Sequence, residues 1–432
     1  MIDLKQLARD AVKALCAEGA DIAQCEVSLS KKREFNMEGG AFSLFRTTFG
    51  TVVSMTAYKN SCRGKVTVNR LSPEAIGEAA RECLALAAAS APDTAWEIAP
   101  HFGERNFEVG TPEPDTERLF SRTEELKNTV AAEYPRILIE QMIVDHTAWE
   151  TVYADTSDNL YTERGGAYNI SLMFSGHEGE RSSSFLDVGF ATDSLDTPLI
   201  DCGDLRASLS STERQIQTLP MQGKFVGTVV FTPDCLASML SSVIESFASG
   251  ASLIDGTSIW LDKLGKAVAS PALTLSLAPK HKKILYREQY TADGYPTEDF
   301  DLICDGELKG FVASAYIANK AGVARSANTS GAYVMPTGDK TLSELIAGID
   351  RGLLVARFSG GEPGTNGDFS GVAKNSFLIE GGRITHAVSE TMISGNLAEM
   401  LLHYEGATAE RLADGHTLLP HAAFSGITVS GK

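Results

Sequence analysis

Histidine side chains near the carboxyl end of the chain are the first candidates for metal chemistry, because neutral imidazole and carboxylate groups are common zinc ligands. His416 and His421 are five residues apart, but Pro420 lies between them and prevents a helix, so the two rings would have to meet in a loop. Structural histidines, exposed or hydrogen-bonded, are the favoured interpretation, and a metal site is the alternative. The other residues that could complete such a site are His386, His403 and Glu405.

A glycine-rich stretch at residues 360–367 could line a ligand cleft. It lacks the lysine of a phosphate-binding loop and opens no helix, so it does not indicate nucleotide binding. The sequence contains no G-x-S-x-G turn, no G-x-x-x-x-G-K-[ST] loop and no G-x-G-x-x-G fingerprint, so serine hydrolases and nucleotide-dependent enzymes have no supporting motif. Two interpretations of residues 360–367 stay open: a loop that contacts a peptide, and a structural turn.

The composition is that of a globular protein with an acidic surface. Of the 432 residues, 43% are hydrophobic and 22% are charged, and the formal net charge is −18. This charge repels a nucleic-acid backbone unless a basic patch overrides it, and we predict no nucleic-acid binding. The densest basic run, Lys31-Lys32-Arg33, is followed by Glu34 and Glu38 and is interpreted as a solvated turn.

The sequence gives no indication of passage into or across a membrane. No stretch approaches the roughly 18 consecutive apolar residues that span a bilayer. Charged residues at positions 3, 5, 9 and 10 interrupt the apolar segment that a signal peptide would need. The seven cysteines include no C-x-x-C pair, as expected for reduced thiols. We therefore expect a cytoplasmic protein with no membrane partner.

Hydrophobic periodicity predicts an α+β domain over residues 1–100. Apolar residues between positions 4 and 15 recur at helical spacing, and Gly19 follows at the position of a helix cap. Residues 23–29 alternate as in a half-buried strand, and strand-like runs follow at 42–49, 51–58 and 65–68. Ser72-Pro73 then begins a second helix. Helix, antiparallel strands and helix together are typical of an α+β domain.

Two further segments complete the predicted organisation. Prolines between residues 92 and 114 indicate a linker or surface crossing. A helical pattern at 116–132 and strands from 137 to 190 then define a central, strand-rich domain at 110–217. A strand at 225–231 and a helix beginning at Thr232-Pro233 open a larger carboxyl-terminal domain at 222–432. The predicted fold class is α+β, with antiparallel strands and hairpins prominent in this last, mixed domain.

Residues 364–400 contain two structural devices in close succession. A β-hairpin is predicted for residues 377–388, since its turn Glu380-Gly381-Gly382 supplies the glycines that tolerate positive φ. Ser394-Gly395-Asn396 then ends a strand, and Asn396 with Glu399 provides the start of a short helix.

In residue types and their order, residues 364–400 resemble the carboxyl-terminal signature of the TldD/PmbA family, the modulators of DNA gyrase that act as peptide-processing metalloproteases. The resemblance covers nearly the whole chain. It includes the glycine-marked strand pair around residues 50–65, the turn at 261–265, the D-x-G-x-P-T loop at 292–297, and the segments 318–322 and 426–431.

The resemblance implies where the family's chemistry would lie. Members of the TldD kind carry H-E-x-x-x-H on the helix after the third domain's opening strand, and a cysteine ligand near the carboxyl terminus. Here Ser241, Ser242 and Ser246 occupy the His, Glu and His positions, and no cysteine follows Cys304. Serine hydroxyls are poor zinc ligands and cannot act as a carboxylate base. The chain is therefore closest to the TldE/PmbA kind, and we expect it to have no catalytic residue, metal or cofactor of its own.

The resemblance further implies a non-catalytic subunit of a cytoplasmic zinc metallopeptidase that processes or degrades unstructured peptides. The expected partner is a TldD-like H-E-x-x-x-H subunit, which would hold the zinc, or a second copy when the chain is isolated. Ser242 is expected beside the loops at 293–297 and 360–367. The alternatives are a stand-alone metallopeptidase with an unconventional site and a binding protein that modulates a partner such as DNA gyrase. The residues expected in peptide-binding loops are Asp293, Gly294, Thr365, Asn366, Gly395 and Asn396.

Overall fold

The computed structural model describes residues 3–389 and 391–431. It confirms the α+β class, with a helix-covered sheet in the amino-terminal half and a larger, strand-rich domain in the carboxyl-terminal half. Among the described residues, no helix combines the length and the apolar composition needed to cross a membrane.

The amino-terminal half folds around one sheet of eight strands. Its elements are α1 (Leu4–Ala17), β1 (Ile22–Glu38), β2 (Ala41–Lys59), β3 (Cys62–Val68), α2 (Pro73–Ala89), β4 (Glu104–Gly110), α3 (Thr116–Glu133), β5 (Ile137–Asp155), β6 (Leu160–Glu178), β7 (Arg181–Ser182), β8 (Leu186–Thr192), a 3₁₀ turn (Leu199–Asp201) and α4 (Leu205–Arg214). The strand order is β3-β2-β1-β5-β6-β4, and β7 and β8 also pair with β6.

Local sequence explains how the first two helices begin. The Asp3 carboxylate accepts hydrogen bonds from the backbone at the start of α1, and Gly19 adopts a φ of +99° just beyond its end. The Ser72 side chain caps α2, and Pro73 occupies a first-turn position where its missing N–H costs nothing. Both helices start where the sequence predicted. They pack on β1, β2 and β3, whereas α3 and α4 cover β5, β6 and β8.

The interpretation of Lys31-Lys32-Arg33 as a solvated turn is wrong. These residues lie inside β1, with β2 on one side and β5 on the other. The Lys32 ammonium lies 2.6 Å from a Glu34 oxygen and 3.1 Å from an Asp145 oxygen. The strand tolerates the basic run because carboxylates within it and on the neighbouring strand balance the charge.

The predicted linker also contains regular structure. Residues 104–110 form β4, which pairs in parallel with the first half of β6. The sheet continues across the predicted border between the amino-terminal and central segments, because β1 pairs with β5 over residues 24–38. The two segments therefore share one sheet and are described as one half of the molecule.

The carboxyl-terminal domain contains a sheet of twelve strands. Its elements are β9 (Thr218–Pro220), β10 (Lys224–Phe231), α5 (Pro233–Phe247), α6 (Gly250–Ile254), β11 (Leu275–Leu277), β12 (Phe300–Cys304), β13 (Glu307–Leu308), α7 (Ala315–Ala321), β14 (Tyr333–Val334), α8 (Leu342–Ala347), β15 (Arg351–Gly360), β16 (Asp368–Glu380), β17 (Arg383–Ser389), β18 (Met392–Asn396), α9 (Leu397–Leu402), β19 (Tyr404–Ala413) and β20 (Leu418–Ser430). The strand order is β13-β12-β11-β14-β20-β10-β15-β16-β17-β9, with β18 paired to β16 and β20, and β19 paired to β20.

The two devices predicted near the carboxyl end are confirmed. β16 and β17 form the hairpin, and Gly381 and Gly382 adopt φ values of +54° and +74° in its turn. The Asn396 side chain accepts hydrogen bonds from the backbone N–H groups of Ala398 and Glu399 at the start of α9. Glycine is required in the turn because other residues rarely adopt positive φ.

The helix-free face of the amino-terminal sheet contacts the carboxyl-terminal domain through polar groups. The Tyr161 hydroxyl donates to the Gly294 carbonyl at 3.1 Å, and the Gln24 amide donates to the Ala292 carbonyl at 3.2 Å. Gly294 has a φ of +88°, and a Cβ at this position would overlap the hydroxyl of Tyr153. The D-x-G-x-P-T loop therefore serves as an inter-domain contact that needs glycine.

The chain between α2 and β4 strengthens this contact. Trp96 stacks on Tyr316 of α7 with ring centroids 3.8 Å apart. The Lys320 ammonium, also on α7, lies 3.1 Å from an Asp93 oxygen. The predicted surface crossing is thus packed against the carboxyl-terminal domain.

We predict that Gly294→Ala lowers the free energy of unfolding by about 2–4 kcal/mol, because it adds an overlap with Tyr153 to the strain of positive φ. Gly256→Ala is the matched control, since Gly256 has a φ of +68° with open space around its Cβ position. Gly256→Ala should lower the free energy of unfolding by about 1–2 kcal/mol, because it adds only the strain of positive φ. Urea unfolding of the three proteins measures both values, and equal losses would show that Gly294 has no role in docking the domains.

Candidate functional site

Helix α5 carries the three serine positions that the sequence singled out. It follows β10, whose residues 228–231 pair in parallel with β15, and Pro233 stands in its first turn. The buried side chains of α5 include Leu236, Leu240, Val243 and Phe247. Burial of this stripe turns the opposite side of the helix outward. We call that side the serine face and define it as Ser238, Ser241, Ser242, Glu245 and Ser246.

Two of the three serine hydroxyls are engaged within the helix. The Ser241 hydroxyl donates to a Glu245 carboxylate oxygen at 3.0 Å. The Ser242 hydroxyl donates to the backbone carbonyl of Ser238 at 3.2 Å. Such bonds to a group one turn away are a common local arrangement of serine in helices. The helix therefore satisfies these two side chains without an external ligand.

A cleft lies on each side of the serine face. The first, called the loop cleft, has a volume of about 340 Å³ and lies between α5, α6 and residues 362–365. Its lining includes Ser242, Ser246 and Thr365. The second, called the hydroxyl cleft, has a volume of about 390 Å³ and lies between α5 and the segments 312–317 and 329–333. Glu245 lines both clefts.

Hydroxyl groups dominate the polar lining of the hydroxyl cleft. Burial raises the pKa of Tyr333, the nearby Glu245 charge raises it further, and a hydrogen bond with Ser241 opposes the shift. Tyr333 therefore stays a neutral phenol that can donate or accept a hydrogen bond. The other hydroxyl-bearing residues in the lining are Ser241, Ser249, Ser314, Thr329 and Ser330.

The structure brings four of the predicted peptide-loop residues together beside α5. Thr365 lines the loop cleft. The Asn366 amide donates to Asp368 at 2.7 Å, and the Asn396 amide donates to the Asn366 carbonyl at 2.8 Å and to Asp368 at 2.9 Å. Gly395 precedes Asn396 in β18. These bonds lower the pKa of Asp368 and tie the glycine-rich loop to the start of α9.

Asp293 and Gly294 lie in the inter-domain contact instead. An Asp293 carboxylate oxygen accepts a hydrogen bond from the Ala315 N–H at the start of α7, at 2.7 Å. Ser314, the residue before, lines the hydroxyl cleft. The loop at 293–297 is thus connected to the hydroxyl cleft through the start of α7, and neither Asp293 nor Gly294 lines either cleft.

The candidate histidines make contacts with protein groups that are not metal ligands. His416 stacks on Tyr286 with centroids 4.5 Å apart, and a ring nitrogen of His403 lies 2.8 Å from the Glu399 carbonyl. Burial lowers the pKa of His421 to about 4. Across residues 3–389 and 391–431, no group of three or more His, Cys, Asp or Glu side chains is arranged to hold a metal ion.

Sequence reasoning missed Glu245 and the far wall of the hydroxyl cleft. Glu245 follows Ser241 by four residues, and this spacing on a helix could have placed the two side chains on one face. Tyr333 and Thr329 belong to a segment far along the chain, and no local pattern connects that segment with α5.

A third cavity, of about 180 Å³, lies at the amino-terminal end of α5, where the two domains meet. It is lined by Asp187 and Asp204 from one domain and by Asp234 and Arg357 from the other. Asp234 is exposed to solvent, yet desolvation by the atoms packed around it in the cavity raises its pKa to about 7, with further contributions from the charges of Asp204 and Asp414. Burial also raises the pKa of Asp204.

Comparison with known proteins agrees with this architecture. Residues 223–431 match the family model of the PmbA/TldA metallopeptidase C-terminal domain. Metalloprotease PmbA of Escherichia coli is 24% identical over 420 residues, which cover 91% of this chain and 87% of that protein. TldE from Thermococcus kodakarensis superposes with a TM-score of 0.83 at 22% identity, over 99% of this chain and 100% of that one. A candidate modulator of DNA gyrase from Bacteroides thetaiotaomicron gives a TM-score of 0.86 at 23% identity, over 99% of both chains.

The match over residues 223–431 makes the carboxyl-terminal domain metallopeptidase-like. Residues 223–431 belong to the family of the PmbA/TldA metallopeptidase C-terminal domain, and over nearly its whole length the chain is similar to metalloprotease PmbA.

The family name implies a metal, and the donor groups on α5 do not fit one. Zinc in peptidases is held by imidazole, thiolate or carboxylate groups, with a position left open for water. The serine face offers hydroxyls, and those of Ser241 and Ser242 already donate within the helix. Glu245 supplies a single carboxylate, which accepts the Ser241 bond. We therefore assign no metal-dependent step to this helix.

We predict that the purified protein retains less than about 0.1 zinc per chain after dialysis, because its serine face lacks zinc ligands. The triple variant Ser241→His, Ser242→Glu, Ser246→His restores two imidazoles and should retain measurably more zinc, although weakly without a third ligand. Elemental analysis measures both. A wild-type protein that keeps one zinc per chain, and loses it together with peptidase activity on chelation, would falsify this assignment.

Stability should fall as pH rises from about 4 to about 7, because Asp234 titrates near 7 in the folded protein and has an ordinary value of 3.8. The folded state then holds more protons than the unfolded state across this window, and the loss is complete above it. Asp234→Asn resembles the protonated form and should raise stability at pH 8 by on the order of 1 kcal/mol, a modest gain because solvent in the cavity screens the charge. It should change little at pH 4.

Urea unfolding of the wild type, Asp234→Asn and Asp350→Asn at several pH values tests this expectation. Asp350 does not line the cavity, so its variant should follow the wild-type profile. An Asp234→Asn profile parallel to that of the wild type would contradict the raised pKa.

Proposed function

We propose that this chain is a non-catalytic subunit that helps to form the substrate chamber of a cytoplasmic zinc metallopeptidase for unstructured peptides. One observation carries the proposal. At the helix positions that hold metal ligands in TldD-like chains by sequence resemblance, this chain presents serines between two clefts, and two of these serines are bonded within the helix.

The lining of the clefts suits an extended peptide backbone. The hydroxyls of Ser314 and Tyr333 can donate to carbonyls, so they can bind a backbone without selecting a sequence. The Thr329 hydroxyl donates to Glu288 at 2.5 Å and can accept from an amide. An extended peptide could also add to an exposed sheet edge through main-chain hydrogen bonds.

The charges at the clefts favour neutral or basic peptides. The lining residues include the carboxylates of Glu245, Asp255 and Glu362 and no lysine, arginine or histidine. An acidic peptide would meet repulsion there, whereas a basic segment would be attracted.

The proposed partner is a TldD-like chain that carries H-E-x-x-x-H and holds the zinc, and the isolated chain would pair with a second copy. A permanent interface of this kind buries on the order of 2,000 Å² or more. A binding protein that modulates DNA gyrase is the second candidate, favoured by the net charge of −18, which could compete for a basic DNA-binding surface. Purification of the tagged chain from its own cells separates the two, because the main partner would be a TldD-like chain or a topoisomerase.

We predict that cleavage of an unstructured peptide appears only when this chain is mixed with a TldD-like homologue from the same source. Ser246→Trp should lower kcat/KM of the mixture at least about tenfold, mainly through KM, because the indole fills part of the loop cleft. Ser210→Trp, at an exposed position on α4, is the matched control and should leave the rate unchanged.

Co-purification with the homologue checks that the Ser246→Trp chain still folds and assembles. A homologue that is fully active alone and whose rate does not change when this chain is added would contradict the peptidase role. An unchanged KM in the Ser246→Trp mixture would show that the peptide does not bind in the loop cleft.

A further inference from the structure

The far wall of the hydroxyl cleft carries hydroxyl groups whose protons are already bound. The Thr329 hydroxyl donates to one Glu288 oxygen at 2.5 Å, and the Thr329 N–H donates to the other at 2.7 Å. A carboxylate accepts hydrogen bonds and donates none, so the Thr329 oxygen has only lone pairs left for other groups. Because Thr329 lines the cleft, the wall offers a hydrogen-bond acceptor there.

The next residue along the wall is oriented in the same way. Asn328 is fully buried, and its amide nitrogen donates to the carbonyls of Leu277 at 2.9 Å and Glu298 at 2.8 Å. These two bonds direct the amide oxygen towards Ser330, whose hydroxyl donates to it at 2.9 Å. The Ser330 oxygen also accepts from the Ala332 N–H at 3.3 Å, which leaves it one lone pair. Ser330 is thus a second acceptor in the lining of the cleft.

Helix α5 adds a negative charge to the same cleft. The Glu245 carboxylate accepts one bond, from the Ser241 hydroxyl at 3.0 Å, out of about four that a carboxylate can accept. No lysine, arginine or histidine lines the cleft. Within the described residues, none of the ion pairs includes Glu245. Its charge is therefore available to a ligand.

These acceptors favour a ligand group that only donates hydrogen bonds. Guanidinium and ammonium groups carry several N–H donors, no acceptor and a positive charge. A carboxylate has no proton to offer Thr329 or Ser330, and the Glu245 charge repels it. The hydroxyls of Ser314 and Tyr333 remain free to donate to the carbonyls of a peptide that carries such a group.

The rest of the lining fits the stem of a long basic side chain. Ile244, Val312 and Ile317 supply apolar surface to the cleft. Lysine and arginine pack their methylene groups along such surface while the charged end finds polar partners. The volume of about 390 Å³ also falls within the roughly 300–1,000 Å³ of ligand sites in proteins.

We propose that the hydroxyl cleft is a subsite for a basic side chain, arginine or lysine, of the bound peptide. Glu245 forms the ion pair, and Thr329 and Ser330 accept the remaining N–H bonds. Glu288 and Asn328 are positioning residues, because they bind the hydroxyl protons and leave lone pairs for the ligand. The inference rests on the proposed function and names the class of residue that the subunit selects in its substrate.

Binding to the isolated full chain tests the proposal with a blocked, unstructured peptide that carries one arginine in a glycine–serine sequence. Anisotropy of the labelled peptide measures the affinity at about pH 8, which keeps Glu288 ionised although burial raises its pKa. Replacement of arginine by citrulline, its uncharged isostere, should weaken binding at least about tenfold, and lysine should bind more tightly than citrulline. A citrulline peptide with a free amino terminus distinguishes a terminal ammonium from a side chain.

Two variants test the assigned residues through the ratio of the arginine and citrulline affinities. Glu245→Gln should lower this ratio at least about fivefold, because the ion pair is lost. Glu288→Gln should lower it as well. The Thr329 N–H would hold the new amide oxygen, and the amide nitrogen would donate to the Thr329 hydroxyl and free its proton for the cleft. Glu124→Gln, at an exposed position on α3, makes the same change in net charge and should keep the wild-type ratio.

Equal affinities for the arginine and citrulline peptides would overturn the proposal, as would an arginine peptide that does not bind at about 1 mM. An unchanged ratio in Glu245→Gln contradicts it too, and this exposed residue decides the matter even where Glu288→Gln fails to fold. Binding restored to the citrulline peptide by a free amino terminus would overturn the side chain as the occupant. The partner is absent from this assay, so failure of the subsite is distinguishable from failure of the mixed cleavage assay.

Discussion

Burial of one side of α5 is the constraint on which the candidate site depends. Leu236, Leu240, Val243 and Phe247 are fully buried in the carboxyl-terminal core, so the helix cannot rotate without exposing them. This fixes the serine face outward. The same core positions the glycine-rich loop, because a Cβ on Gly367 would overlap the Phe247 ring. Packing of Gly367 against Phe247 thus fixes the loop relative to α5, and the loop cleft lies between them.

The chemistry of the serine face follows from how serine behaves on a helix. A serine hydroxyl finds an acceptor within one turn, as Ser242 does on the Ser238 carbonyl. A histidine at the same position would project further and would need an external partner for its ring nitrogens. The fold therefore keeps the helix and its two clefts, while Ser241 and Ser242 between them are satisfied within the helix. What the surface can still supply is shape, hydroxyl groups and the negative charge of Glu245.

Local signals in the sequence predicted the parts of the fold that local physics determines. The caps at Asp3 and Ser72, the glycine turn at 381–382 and the Asn396 cap each depend on residues within a few positions. Pairing between strands that are far apart in the chain gives weaker signals in the sequence. Lys31-Lys32-Arg33 resembled a turn because its balancing carboxylate on Asp145 lies far along the chain.

Sequence reasoning likewise placed some residues of the candidate site correctly and misplaced or missed others. Thr365, Asn366 and Asn396 were placed in a shared region by their motif, and their contacts hold them beside α5. Asp293 and Gly294 belong to an equally recognisable motif, yet the loop packs against Tyr153 and Tyr161 across the domain contact. A sequence pattern alone does not predict which part of the fold a loop packs against. The far wall of the hydroxyl cleft, with Tyr333, was missed for that reason.

The most direct test of the central claim is the turnover of the complex reconstituted with a TldD-like partner, using the variant Ser241→Ala, Ser242→Ala, Ser246→Ala of this chain. The account predicts a kcat within about twofold of the wild-type complex, because none of the three hydroxyls takes part in bond breaking. It also predicts that replacing the glutamate of the partner's H-E-x-x-x-H motif abolishes cleavage. A triple variant that assembles normally but loses turnover by orders of magnitude would contradict the account and place catalytic chemistry on α5 of this chain.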